Sequence, residues 1–198
     1  LADAMHSHMN DYDVSVKENL SVKNIQNGEI KSLTLSTGDI IKSRSVIIAT
    51  GANWKQLGVP GEQENLGNGV AYCPHCDGPF YKNKDVAVIG GGNSGIEAAL
   101  DLAGIVNSVI VFEFLPELKA DQILIDQVTN RKNISIITNA ETQRILSTSG
   151  KVTGIEYKDR STNELHQRVL SGVFVQIGLV PNSEFLGEVV NLNSFGEI

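Results

Sequence analysis

Two cysteines stand three positions apart in Cys73-Pro74-His75-Cys76-Asp77, and the chain has no others. On a helical turn, positions i and i+3 bring both sulfurs to one side, within bonding reach. Pro74 stiffens such a turn. His75 or a helix N-terminus lowers a thiol pKa, so that thiolate, the attacking species, is available near neutrality. Asp77 can hand a proton to a departing thiolate or take one back. Shortly afterwards the sequence reads DVAVIGGGNSG from position 85, and Gly90, Gly92 and Gly95 fit the G-x-G-x-x-G spacing. The first glycine permits a tight turn, the second lets the backbone approach a pyrophosphate, and the third allows close helix–strand packing. Unpaired amides and the positive end of the helix dipole then favour phosphate. Gly90, Gly91, Gly92, Asn93, Ser94 and Gly95 are the candidate dinucleotide-binding residues. Glu113 lies about 20 residues on, at the tip of the next strand, where an acidic side chain accepts hydrogen bonds from the ribose hydroxyls and repels a 2′-phosphate. No arginine stands near it in the sequence, which favours NADH over NADPH. A dithiol beside a dinucleotide signature implies electrons passing from a nicotinamide to a disulfide.

Each motif has a plainer reading. A glycine turn can be only a turn, Glu113 a solvated strand end, and the cysteines inert buried thiols. A zinc site needs four ligands, and His6, His8 and His166 lack the paired spacing that would complete one; no metal is expected.

The elements that must hold these residues are legible from periodicity. Residues 86–89 read as a buried strand, and 95–103 as a helix with Ile96, Ala99, Leu100 and Ala103 on one face. Residues 108–114 form the next strand, 121–132 a second helix capped by Asp121, and 134–138 a third strand. This βαβ order implies a Rossmann-like α/β domain with a parallel sheet. Short alternating segments at 14–16, 32–35 and 45–49 predict one antiparallel meander, and those at 143–147, 152–157 and 168–177 a second. Gly/Pro-rich stretches at 57–62 and 178–182 read as linkers, with Trp54 packing at a domain edge.

Composition excludes several classes. A formal charge of −7 without a basic block argues against nucleic acid as a partner. No apolar run approaches the ~20 residues of a membrane span. The first residues lack the pattern of a secretory signal, so the expected location is cytoplasmic.

With these residues in hand, the chain resembles the flavoprotein subunits of bacterial alkyl hydroperoxide reductase, a thioredoxin-reductase-like family. The resemblance covers essentially all 198 residues. It rests on IATGA at 48–52, VPGE at 59–62, YCPHCDGP at 72–79, VIGGGNSG at 88–95, FEF at 112–114 and FVQIGLVPN at 174–182. Thioredoxin reductases share most of these motifs. Pro-His between the cysteines, and Glu113 without following arginines, point to the peroxiredoxin-serving branch.

The resemblance implies an FAD domain interrupted by a nicotinamide domain that carries the dithiol. Residues 61–180 would be the NAD-binding domain, and 1–60 (a β-meander) and 181–198 the FAD-domain remnants. Thr50, Gly51 and Ala52 would touch FAD. NADH would reduce the flavin, and the flavin the Cys73–Cys76 disulfide. Cys76 would be the thiol nearer the flavin and Cys73 the attacker of the next disulfide, in a thioredoxin-fold N-terminal domain that serves a peroxiredoxin in peroxide detoxification. One domain would rotate on the other about 58–62 and 178–182, and the whole enzyme would be a homodimer. The family's first FAD fingerprint and closing glycine-aspartate segment have no counterpart here. The expectation is therefore a fragment with an incomplete FAD site, inactive by itself. Thioredoxin reductase, a truncated nicotinamide-binding module and a zinc-stabilised interaction domain are the alternative readings.

Overall fold

The structure is a computed structural model that describes residues 2–198. The chain divides into two units, Leu1–Ala52 with Pro181–Ile198, and Asn53–Val180. It thus passes into the larger unit after Ala52 and out of it after Val180, whereas the sequence places the first boundary at residue 60.

The smaller unit holds helix α1 (Ala2–Met9) and an antiparallel sheet of β1 (Val22–Gln26), β2 (Lys31–Leu35) and β3 (Ile40–Ser43), in that order. Only the middle strand of the predicted meander stands where expected. Gly38, at φ +92°, closes a tight turn whose N–H donates to Leu35 O, so pairing starts at Thr34–Ile40 and uses up the strand before residue 45. Residues 14–16 lie exposed outside the sheet. Ile25, Leu35 and Leu186 are this unit's buried apolar side chains.

Strand β4 (Ala52–Trp54) leads into the larger unit. There follow β5 (Val70–Ala71), α2 (Pro74–Asp77), β6 (Asp85–Ile89), α3 (Asn93–Ala103), β7 (Ser108–Phe112), α4 (Gln122–Thr129), β8 (Ile134–Ile137), β9 (Ala140–Thr148), β10 (Lys151–Asp159), β11 (Leu165–Val169), β12 (Gly172–Val175) and β13 (Leu179–Pro181). A parallel sheet of order β5-β12-β6-β7-β8 forms the centre, as the βαβ pattern predicts. Its side chains alternate between two cores. Val86 and Val88 pack with Ile96, Ala99 and Leu102 of α3 and Val128 of α4. Ala87 and Ile89 pack instead with Ile145, Val152, Ile155 and Tyr157 of the antiparallel sheet β11-β10-β9. A strand covered on both faces must read as a continuous apolar run, and β6 does.

Three local expectations are corrected. Residues 168–177 are two strands: β11 pairs with β10, and after Leu170 and Ser171 the chain enters the central sheet as β12. Val169 is 89% exposed, whereas Val173 to Val175 are buried on both faces. Helix α3 buries Ile96, Ala98, Ala99 and Leu102, leaving Leu100 and Ala103 at the margin. Helix α4 ends at Thr129, and Asp121 at its N-cap makes no side-chain cap bond because its carboxylate is engaged by Asn93. Among the described residues no helix is long and apolar enough to cross a membrane.

Candidate functional site

Strands β5, β12, β6 and β7 run parallel, so the residues that follow them lie along one edge of the sheet: Cys73, Gln176, Gly90 and Glu113. The edge beyond the carboxyl ends of parallel strands is where open α/β sheets bind ligands. The sheet order therefore assembles motifs that are separate in the chain.

The four glycines of the turn are required for different reasons. Gly90 has φ +116°, and a Cβ there would stand 2.3 Å from Gln176 O. At Gly95 it would stand 1.9 Å from Gly90 O, where helix α3 packs onto its own turn. At Gly91 it would meet the Glu113 carboxylate at 2.7 Å. Gly92 differs: nothing lies within 4 Å, so the missing side chain leaves an open cradle. Gly92 is also the N-cap of α3 and makes no side-chain cap bond, which leaves first-turn amides at Asn93, Ser94 and Gly95 for a ligand. An open cradle beneath a bare helix N-terminus fits a dinucleotide pyrophosphate. Asn93 itself is engaged elsewhere. Its Nδ2 donates to Asp121 Oδ2 at 3.0 Å, and its Oδ1 accepts the Asp121 N–H at 2.7 Å.

Glu113 is only 8% exposed. Its carboxylate accepts the N–H of Gly91 at 2.5 Å and that of Leu115 at 2.8 Å, which pins it against the glycine turn. Next to it, the absence of an arginine holds in sequence but not in space. Arg160, from beyond β10, lies 3.7 Å over the Phe114 ring and donates to Phe114 O at 2.8 Å. Lys119, also near in sequence, is paired with Glu117 at 2.5 Å, and that hydrogen bond and charge hold the Glu117 carboxyl below its usual range. A cleft of about 600 Å³ opens here, with Gly90, Glu113 and Phe114 on one wall and Leu57, Pro60 and Thr142 on another.

Cys73 and Cys76 are joined as a disulfide, with Cα atoms 5.3 Å apart. Helix α2 is a single turn with Cys73 as N-cap and Pro74 at its start, and Cys76 N–H donates to Cys73 Sγ at 3.1 Å. Cys76 is exposed and Cys73 half-buried. Asp77 is half-buried and donates its backbone N–H to Cys73 O. The exposed His75 extends to α3, its Nε2 3.5 Å from Asp101 Oδ2. Thr50, Gly51 and Ala52 fall in the smaller unit. There Thr50 Oγ1 donates to Asn182 O at 2.7 Å, and Asn182 returns bonds to Thr50 O and Gly51 O. Gly51 is exposed at φ +63°, with nothing within 4 Å of where a Cβ would stand.

Sequence reasoning missed a buried cluster beside the dithiol. Glu62, in a Gly/Pro-rich stretch that reads as solvated linker, is 1% exposed and accepts from Leu57 N–H, Gly58 N–H and Tyr72 O–H. Burial, followed by the Glu62 hydrogen bond and charge, pushes the Tyr72 phenol from 10.0 up to about 12. A pKa raised on folding contributes stability that is complete below pH 10 and is lost as pH climbs through about 12. Urea unfolding midpoints between pH 9 and 12 should therefore fall more steeply for the wild type than for Tyr72→Phe. Equal slopes would remove this assignment.

The model of the pyridine nucleotide-disulphide oxidoreductases matches residues 2–198. The chain belongs to this family. The "NADH dehydrogenase" of Ferdinandcohnia aciditolerans is 52% identical over 198 residues, which are 100% of this chain and 38% of that protein. An alkyl hydroperoxide reductase subunit of Escherichia coli is 48% identical over 202 residues, 100% of this chain and 39% of that protein. The chain thus spans under two-fifths of the length of these curated relatives. Among solved structures, the thioredoxin reductase of T. acidophilum superposes with TM-score 0.79 at 36% identity, covering 100% of this chain and 64% of that one. The family is one of oxidoreductases, and membership implies flavin and nicotinamide nucleotide binding. Among the described residues, no group of three or more His, Cys, Asp or Glu side chains is arranged to hold a metal ion.

Proposed function

We propose that this chain is the nicotinamide- and dithiol-bearing part of an NADH-dependent flavoprotein disulfide reductase that serves a peroxiredoxin. The observation that carries the reading is the placement of a CxxC disulfide and an open glycine cradle along one edge of one parallel sheet. The likeness to alkyl hydroperoxide reductase subunits over the whole chain supports it. When bound, NADH supplies the hydride and FAD relays its electron pair, the sum being NADH, H⁺ and a disulfide converted to NAD⁺ and a dithiol.

The protein's own residues bind and move protons. Gly92 and the first-turn amides of α3 hold the pyrophosphate. Glu113, pinned by Gly91 and Leu115, presents its remaining lone pairs to the adenosine ribose. Glu117 pairs with Lys119 and Arg160 stacks on Phe114, while the Glu113 carboxylate would repel a 2′-phosphate, which favours NADH over NADPH. Thr50, Gly51 and Ala52 form one edge of the FAD site. Cys76 would be the thiol nearer the flavin, Cys73 the attacker of the next disulfide, Asp77 the acid/base, and His75 the neighbour that favours thiolate whenever it carries a second proton. The acceptor is a thioredoxin-fold domain and, through it, the peroxiredoxin, in a cytoplasmic homodimer.

The test uses a protein of the relatives' full length that carries this sequence, loaded with FAD. One anaerobic equivalent of NADH should make Cys73 and Cys76 alkylatable, as mapped by peptide mass. If both stay protected, the reading fails. The thioredoxin-reductase neighbours favour thioredoxin as a second candidate acceptor. Turnover with each acceptor separates the two.

A further inference from the structure

Tyr72 stands directly before Cys73 and is held from three sides. Its hydroxyl donates to Glu62 Oε1 at 2.8 Å. The same buried carboxylate accepts the N–H groups of Leu57 at 2.9 Å and Gly58 at 2.8 Å. Its carbonyl accepts from Gln176 Nε2 at 2.7 Å, and Gln176, just past β12, is 8% exposed. Its ring stacks on Trp54, with centroids 6.2 Å apart and planes 10° from parallel. Trp54, Leu57 and Gly58 lie where the chain enters the larger unit, and Gln176 lies where it prepares to leave. Lys55 N–H donates to Gly178 O and joins these two segments.

We propose that Tyr72 is a positioning residue that keys the Cys73–Cys76 turn to both segments, so that opening the disulfide loosens the crossover at Leu57 and Gly58. The disulfide restrains Cys73, and with it the Tyr72–Cys73 peptide that Gln176 holds. Reduction breaks the S–S bond, adds two electrons and two protons, and frees Cys73 to change its backbone. That freedom pulls on the Tyr72 hydroxyl. Glu62 has no solvent to replace a lost donor, so strain at Tyr72 passes to the two amides that share the carboxylate. A shared buried acceptor makes the three bonds interdependent, as a surface carboxylate would not.

The inference rests on the reading of Cys73–Cys76 as a redox couple. Its test uses dithiothreitol, which is oxidised to its own disulfide, so a failure of NADH to reduce the pair would leave it standing. In the 198-residue chain, amide exchange at Leu57 and Gly58 is measured by NMR in the oxidised and reduced states. Reduction should accelerate exchange at both amides about tenfold. The emission of Trp54, the chain's one tryptophan, should change in the same titration. Tyr72→Phe keeps the ring stack but lacks the hydroxyl, and exchange at both amides should no longer depend on redox state. Redox-independent exchange in the wild type would overturn the proposal, as would an undiminished response in Tyr72→Phe. Should the variant fail to fold, the wild-type comparison alone decides.

Discussion

Gly95→Ala should cost about 3 kcal/mol or more of folding stability, whereas Gly92→Ala, three residues earlier in the same turn, should leave the fold intact and weaken NADH binding about tenfold. The asymmetry follows from what a Cβ would meet. At Gly95 it would stand 1.9 Å from a backbone oxygen of Gly90, and neither the turn nor α3 can retreat without disturbing the Val88–Ile96 core. Overpacking against backbone sits at or beyond the upper end of the usual range of about 1–3 kcal/mol. At Gly92 the backbone is ordinary extended chain, φ −83° and ψ −178°, with open space beyond, so alanine is tolerated by the apoprotein. A methyl group in the phosphate cradle then obstructs only the ligand, and tenfold corresponds to about 1.4 kcal/mol. Urea unfolding and calorimetric titration with NADH, run on both variants, separate the effects. If Gly95→Ala folds normally, or Gly92→Ala binds as the wild type does, the account of the turn is wrong.

Replacing either cysteine should lower disulfide-reductase turnover at least about 10³-fold in the full-length, FAD-loaded protein, with NADH binding unchanged. A lone thiol can attack a disulfide but cannot release the mixed intermediate, because exchange needs a second thiolate in reach. The proposed division of labour makes the two variants unequal. Cys76→Ser leaves Cys73 to attack and should trap a stable mixed disulfide with the acceptor, whereas Cys73→Ser should trap little. Mass spectrometry of the trapped species reads this directly, and the opposite pattern would exchange the two roles. Cys76 is the more exposed residue of the pair, so these trapping experiments, and not exposure, decide which cysteine attacks.

Much of the site was legible in the sequence because its chemistry depends on near neighbours. The i, i+3 cysteines share one turn whatever the fold around them, and Gly90 needs a conformation that its place between β6 and α3 already demands. The apolar run of β6 and the spacing in α3 report burial residue by residue, so the strand–turn–helix–strand order follows from short-range pattern alone. Tertiary structure decided what depends on which distant segment arrives. Nothing local to 168–177 tells that β11 closes a meander while β12 enters between β5 and β6, because both segments read as extended chain and only sheet order separates them. Arg160 reaches Phe114 from 46 positions away, so scanning the neighbours of Glu113 could not find it. Glu62 escaped for another reason. Its partners are near in sequence, two amides four and five positions back and a phenol ten positions on, but nothing in a Gly/Pro-rich stretch tells that the chain folds back so that they converge on a buried carboxylate.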